Sequence, residues 1–294
     1  MKIAVFPNLK KKNAYDCTLE CCDILNRLGA GIYIDCCFKD TFSELSYLNF
    51  RKTNEMLEIC DIVLVVGGDG TILHCAKLVA PYEKPIIGIN SGRLGFMASL
   101  EANELDSLEK LFKNDYQIVN HMLLDVRRVS QDGCEEIFSA LNDATVSRNY
   151  NCKITDFEVS INGQVVSFLR ADGVIFSTPT GSTAYSLSAG GPIIDPEMEC
   201  IEFTQICPFS LFARTMIFSP DKTVKVIFRS NKNAVGMLSI DGQDCGEFLT
   251  TDTLYISKSD RYIKFIDITG CNFYHSVNSK LMQPLKGISQ EDEQ

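Results

Sequence analysis

An unbroken apolar run, Ile62–Val66, leads into Gly67-Gly68-Asp69-Gly70-Thr71 and from there straight into the helical stretch Thr71–Val79. A short run without polar alternation suits a strand buried on both faces, and such strands belong to parallel sheets covered by helices. Ile3–Phe6, Ile32–Ile34 and Ile86–Ile89 read the same way. Between the first two of these, Leu19, Cys22, Ile24, Leu25 and Leu28 form a helical apolar stripe. Gly29 is placed to end that helix, and Gly31 follows in the turn. Strand, helix, strand, turn, helix, strand is the order of an open α/β domain, expected here over residues 1 to about 100.

Beyond Leu100 the pattern changes. Glu104–Phe112 reads as a short helix, and strand-like runs then dominate. Phe157–Ile161 and Gln164–Phe168 flank Asn162-Gly163, a strong two-residue hairpin signal, and Val235–Ile240 runs into Asp241-Gly242. Val224–Phe228, Leu254–Ser257 and Tyr262–Ile268 add further strands. The expectation over residues 101–270 is a β-rich, sandwich-like domain, followed by a polar tail over 282–294.

Composition narrows the class. The 294 residues are 45% hydrophobic and 22% charged, the make-up of a globular protein with room for two ordinary domains. A net charge of -10 disfavours broad binding to nucleic acid or anionic membranes, which call for a basic face. It leaves open a phosphorylated small molecule held by backbone N–H groups. Ile3–Phe6 is too short for a signal-peptide core and Pro7-Asn8 ends it, so the expected compartment is the reducing cytoplasm. None of the 13 cysteines forms C-x-x-C; Cys17 and Cys21 share a helix face without a further Cys or His to complete a zinc set. Buried free thiols are expected.

Three segments carry chemistry. In Gly67–Thr71 the glycines permit positive φ and close approach of a phosphate, and the helix that follows supplies unpaired N–H groups. Asp69 falls at the carboxyl end of the strand, where ligands bind in open α/β sheets. The segment is neither G-x-G-x-x-G nor a P-loop. The second, Ala171–Pro192, passes from an apolar strand (Val174–Phe176) into hydroxyls and glycines suited to ribose and phosphate, with Tyr185 available to stack on a ring. The third, Leu141-Asn142-Asp143-Ala144, is by itself more often a turn, but adjacent Asn and Asp at a strand end can bind ribose hydroxyls, an adenine edge or a hydrated metal.

Together with Gly88-Ile89-Asn90-Ser91-Gly92-Arg93-Leu94-Gly95-Phe96, these segments make the chain resemble the NAD kinases, in the superfamily that also holds diacylglycerol kinases and 6-phosphofructokinases. The Gly-Gly-Asp-Gly-Thr turn is shared with the lipid kinases, whereas Ser177–Tyr185 is far more diagnostic. The resemblance implies transfer of the γ-phosphoryl group of ATP to the 2′-hydroxyl of the adenosine ribose of NAD, giving NADP. Asp69 would accept the hydroxyl proton, with Gly70 and His74 beside the nucleotide, while Gly67, Gly68, Gly70 and Thr71 form the phosphate-binding turn. Asn142 and Asp143 would contact the NAD ribose and adenine, and Arg170 and Asp172 the nicotinamide end. Thr183, Ala184, Tyr185 and Ser188 would line the adenosine site, with Lys153, Thr180, Ser186, Leu187 and Gln243 also at NAD.

The resemblance further implies a homodimer or homotetramer and a final helix, Asn272–Leu281, completing the first domain. Mg²⁺ or another divalent cation would arrive with ATP, with no metal held by the protein alone. Two positions depart from the family's commoner pattern: Asp143 where many members carry Glu, and His121 where Arg more often precedes Met-Leu. Two rival readings are a lipid kinase and an inactive NAD(P)-binding sensor. The charge and the Asp172–Pro192 segment weigh against the first, and the presence of Asp69 against the second.

Overall fold

The computed structural model describes the chain except Lys12, 93–94, 150–152, 230–234, 271–272 and 282–294. Arg93, Leu94, Asn272 and the polar tail therefore lie outside the described residues. Two compact units emerge, one from Met1–Val119 with Lys264–Gln294, the other from Asn120–Ile263.

The first unit begins with β1 (Lys2–Pro7), α1 (Ala14–Arg27), β2 (Gly31–Asp35), β3 (Leu48–Arg51) and α2 (Thr53–Ile59). It continues through β4 (Ile62–Gly67), α3 (Asp69–Val79), β5 (Ile86–Asn90), β6 (Leu100–Glu101) and α4 (Glu109–Lys113). The strands are parallel in the order β3-β2-β1-β4-β5, with β6 beside β5. β4 and β5 are buried at every residue, as continuous apolar runs require. From β1 the chain moves to β2 and β3 on one side and later to β4 and β5 on the other. The switch point of the sheet lies between β1 and β4.

Antiparallel strands build the second unit. They are β7 (Gln117–Val129), β8 (Glu135–Ala140), β9 (Asp143–Arg148), β10 (Thr155–Ile161), β11 (Gln164–Ala171) and β12 (Gly173–Ser177), then the single turn α5 (Tyr185–Ser188). β13 (Ile201–Ile206), β14 (Met216–Phe218), β15 (Val224–Arg229), β16 (Val235–Ile240), β17 (Gln243–Leu249) and β18 (Thr253–Asp267) follow, and α6 (Phe273–Leu281) closes the described chain. One layer pairs β11-β10-β15-β18, and a second runs β14-β13-β12-β9-β16-β17. Inward residues such as Phe157, Phe176, Phe203, Phe228 and Phe248 fill the unit's core. Both predicted hairpin turns are present, Asn162-Gly163 at φ 49° and 84° and Asp241-Gly242 at 51° and 73°. Positive φ at both central residues matches the twist of the strands they join.

The structure corrects several local expectations. The buried stripe of α1 comprises Ala14, Cys17, Thr18, Cys21, Cys22, Ile24 and Leu25, while Leu19 and Leu28 pack only at its margin. Glu104–Phe112 divides into a 3₁₀ turn, Leu105–Leu108, and α4. Leu254–Ser257 and residues 262–267 belong to one continuous strand, β18, which stops one residue short of Ile268. Cys36, Cys37, Cys134 and Cys207 are exposed thiols rather than buried ones.

α1 ends as its glycine predicts. Gly29 adopts φ 80°, Gly29 N–H donates to the Asn26 carbonyl and Ala30 N–H to the Leu25 carbonyl, which together form a Schellman cap. An L-residue in this left-handed conformation carries a steric cost, so Gly29→Ala lowers stability by about 1 kcal/mol. Thermal unfolding measures the loss, and Gly29→Asn, which tolerates the conformation better, loses less.

Candidate active site

The first unit carries a cleft of about 1470 Å³ at the carboxyl ends of β1, β2, β4 and β5. Gly68, Asp69, Gly70, Thr71 and His74 line it together, and so do Asn8, Lys10, Lys11, Asp35 and Ser91. The Asn8 side-chain amide donates to Thr71 Oγ1 at 2.8 Å, a bond that spans the switch point from β1 to α3.

α3 begins at Asp69, two residues earlier than the sequence suggested, with Gly68 as its extended N-cap at φ -103°. Positive φ occurs at none of Gly67, Gly68 and Gly70, so backbone strain does not explain these glycines. Space does. A Cβ on Gly67 would stand 2.6 Å from Thr71 Cβ, whereas positions 68 and 70 face open space. That opening, beside the first N–H groups of a helix, lets an anion approach the backbone.

Asp69 is held by the segment after β5. Its carboxylate accepts Phe96 N–H at 2.6 Å and Met97 N–H at 3.1 Å. A Cβ on Gly95 would come within 2.0 Å of Asp69 Oδ1, which explains a glycine there. Ser91 Oγ is buried with no hydrogen-bond partner among the described residues, and it belongs to the cleft lining.

The second unit gathers the other predicted residues. Asp143 is 5% exposed and accepts Thr145 Oγ1. The Leu141–Asp143 turn is clamped by Asp241, whose carboxylate accepts the N–H groups of Leu141, Asn142 and Asp143 at 3.1, 2.6 and 3.0 Å. Thr178 N–H donates to the Asn142 carbonyl, and a Cβ on Gly181 would lie 2.1 Å from that oxygen. Asn142-Asp143 and the hydroxyl-rich segment therefore press against each other. Thr180–Thr183 forms a 3₁₀ turn, Ala184 is its cap, and Tyr185, Ser186, Leu187 and Ser188 make α5.

Tyr185 is 45% exposed. Burial of the rest of its ring raises its phenol above the usual value, with Cys207, Asp143 and Asp172 acting in the same direction. Thr180 Oγ1 lies 2.8 Å from His121 Nδ1, and burial pushes His121 down to about 4, so the imidazole is neutral near pH 7. Asp172 pairs with Arg148 Nε at 2.6 Å. Arg170 turns to Asp156 in a two-pronged pair at 2.7 and 2.9 Å, while Lys153 and Gln243 are exposed on loop and strand start.

Sequence reasoning missed Asn8, Lys10, Lys11, Arg148, Glu202 and the clamping role of Asp241. Only Asn8 carried a readable signal, since it directly follows a parallel strand.

A helix start open to an anion at a switch point, with a carboxylate fixed beside it, fits a nucleotide-handling phosphotransferase of the α/β type. The chain matches the ATP-NAD kinase N-terminal domain over residues 3–116 and the ATP-NAD kinase C-terminal domain over 141–268. It belongs to the NAD kinase family. It is 36% identical over 284 residues to the NAD kinase of Caldanaerobacter subterraneus subsp. tengcongensis, covering 96% of this chain and 99% of that one. The NAD kinase of Lachnoclostridium phytofermentans is 36% identical over 287 residues, covering 95% and 98%.

Two solved structures share the fold. The yeast NADH kinase complexed with NADH matches at TM-score 0.88 and 23% identity, over 100% of this chain and 90% of that one. The Archaeoglobus fulgidus NAD kinase in complex with ATP matches at TM-score 0.69 and 25% identity, over 95% and 99%.

Gly95→Ala tests the packing around Asp69. The added methyl displaces the carboxylate, and a misplacement of about 1 Å costs roughly 10²-fold in turnover. Steady-state kinetics beside a thermal melt should show a loss of kcat far larger than the loss of stability.

Proposed function

We propose that the chain transfers the γ-phosphoryl group of ATP to the 2′-hydroxyl of the adenosine ribose of NAD, yielding NADP. The observation that carries this reading is the Asp69 carboxylate, pinned by Phe96 and Met97 N–H beside the open glycines at the head of α3. In this reading the triphosphate lies along the start of α3, with Lys10 and Lys11 in the same cleft to offset its charge. Asn142, Asp143 and the Thr180–Ser188 segment take the adenosine part of NAD, and Asp172, oriented by Arg148, the nicotinamide end. Lys153 and Gln243 belong to the outer part of the same NAD site.

A carboxylate is a far weaker base than an alkoxide, so Asp69 orients the hydroxyl and takes its proton late, as the new P–O bond forms. Positioning and electrostatics supply most of the rate, with no covalent intermediate on the protein. Asp69→Asn should lower kcat by roughly 10²–10⁴ while leaving NAD binding near normal. An NADP-formation assay with NAD and ATP decides it: unchanged kcat in the variant removes Asp69 from the chemistry.

A divalent cation that comes with the nucleotide suits a cleft lined by Gly68, Gly70, Lys10 and Lys11. Both carboxylates that line the cleft are engaged, Asp35 with Cys37 N–H and Thr53 Oγ1, and Asp69 as above. Arriving with ATP, Mg²⁺ would neutralise charge on the transferring group. NADP formation should fall to background after exhaustive EDTA treatment and return on adding Mg²⁺. Undiminished turnover without metal would sink this assignment.

A homo-oligomer in the cytoplasm completes the reading. Phe209, Leu211 and Phe212 are 78%, 88% and 87% exposed on one short segment, an apolar surface that a second copy could cover. No helix among the described residues is long and apolar enough to cross a membrane.

A further inference from the structure

One buried acid in the second unit takes no part in the chemistry above. β12 lies between β9 and β13, with Ser177 opposite Asp143 on one side and Glu202 on the other. Asp143, Ser177 and Glu202 thus form a row across three strands, and the two-residue period places Thr145 and Thr204 on the same face. The reverse face is apolar, with Phe176 and Phe203 stacked at 5.1 Å. Glu202 is fully buried, at 0% exposure. A carboxyl group so enclosed is costly to keep charged.

Its contacts are specific. Glu202 Oε1 accepts Ser186 Oγ at 2.7 Å and Thr204 Oγ1 at 3.1 Å, and the two hydroxyls stand 2.9 Å apart. Oε2 is buried without a partner among the described residues. Burial raises the carboxyl above its usual range, opposed by the bonds from Ser186 and Thr204 and reinforced by Asp143. Gly191 closes the arrangement from the other side. Its N–H donates to the Ser186 carbonyl at 2.8 Å, and a Cβ there would lie 2.2 Å from Glu202 Oε1 and 2.3 Å from Ser186 Oγ. Ser186 is therefore bonded at both backbone and side chain, immediately after Tyr185.

We infer that Glu202 is a positioning residue for nucleotide binding, which through Ser186 seats the Thr183–Ser188 segment on the sheet and sets where Tyr185 stands. The inference rests on the assignment of that segment to NAD. A carboxyl oxygen suits the role, because Oε1 accepts both hydroxyl bonds at one point.

Steady-state kinetics on the full chain, with NAD and ATP varied separately, test it. Glu202→Ala and Ser186→Ala should each raise the KM for NAD by about tenfold, with kcat and the KM for ATP little changed. The double variant should be no worse than either single one, because both cut the same link. Glu202→Gln keeps an acceptor oxygen for the Ser186 and Thr204 hydroxyls, so it should stay close to the parent. Ser186→Ala removes a single hydroxyl and carries the test if Glu202→Ala does not fold. An unchanged NAD KM in folded Ser186→Ala, additive effects in the double variant, or a Gln variant as impaired as Ala would each overturn the inference. Tyr185→Ala separates the two levels: if it leaves the NAD KM unchanged, the NAD assignment of the segment fails. If only Tyr185→Ala raises it, the role of Glu202 fails alone.

Discussion

The Asp69 carboxylate is the joint on which the first unit's site depends. It sits at the first residue of α3 and accepts two consecutive N–H groups from the segment after β5, tying together elements that follow neighbouring parallel strands. Those bonds fix where the carboxylate stands, and they also dictate the surrounding small residues. Gly95 leaves room for the carboxylate, and Gly67 leaves room for Thr71, whose hydroxyl accepts from Asn8 just after β1. Three strand ends are thereby locked around one opening.

The second unit solves a different problem, that of presenting polar groups from a sheet without exposing its core. Strand alternation divides the work. One face of β9, β12 and β13 is apolar and packs with the core, and the other carries Asp143, Thr145, Ser177, Glu202 and Thr204. Buried polar groups are tolerated when they are hydrogen-bonded, and nearly every one here is. Asp241 supplies the counterpart at the strand ends, where three N–H groups of the Leu141–Asp143 turn meet one carboxylate. A hairpin turn thus serves as a clamp for the segment that presents Asn142 and Asp143.

Much was readable because local physics repeats. Short unalternated apolar runs bounded by turn residues suit buried strands, and Asn-Gly or Asp-Gly between strands calls for a two-residue turn. The Gly-Gly-Asp-Gly-Thr turn, the Asn-Asp pair and the hydroxyl-rich segment were identifiable for the same reason: each is contiguous in the chain. The thiols show where such reading fails. Cys17 and Cys21 lie inward while Cys36 and Cys37 lie outward, a difference set by helix phase and the end of β2, not by residue type.

The sequence alone determined the α/β start, the β-rich remainder, the family and the three segments to which the nucleotide contacts are proposed. Strand order was left to the tertiary structure, and with it the switch point between β1 and β4 that places Asn8 and the lysines in the cleft. So were the pairings across large separations: Asp69 with Phe96, Asp241 with Asn142, Arg148 with Asp172, Ser186 with Glu202. Those contacts depend on register between strands far apart in the chain, and no local period encodes which carboxylate will find which N–H.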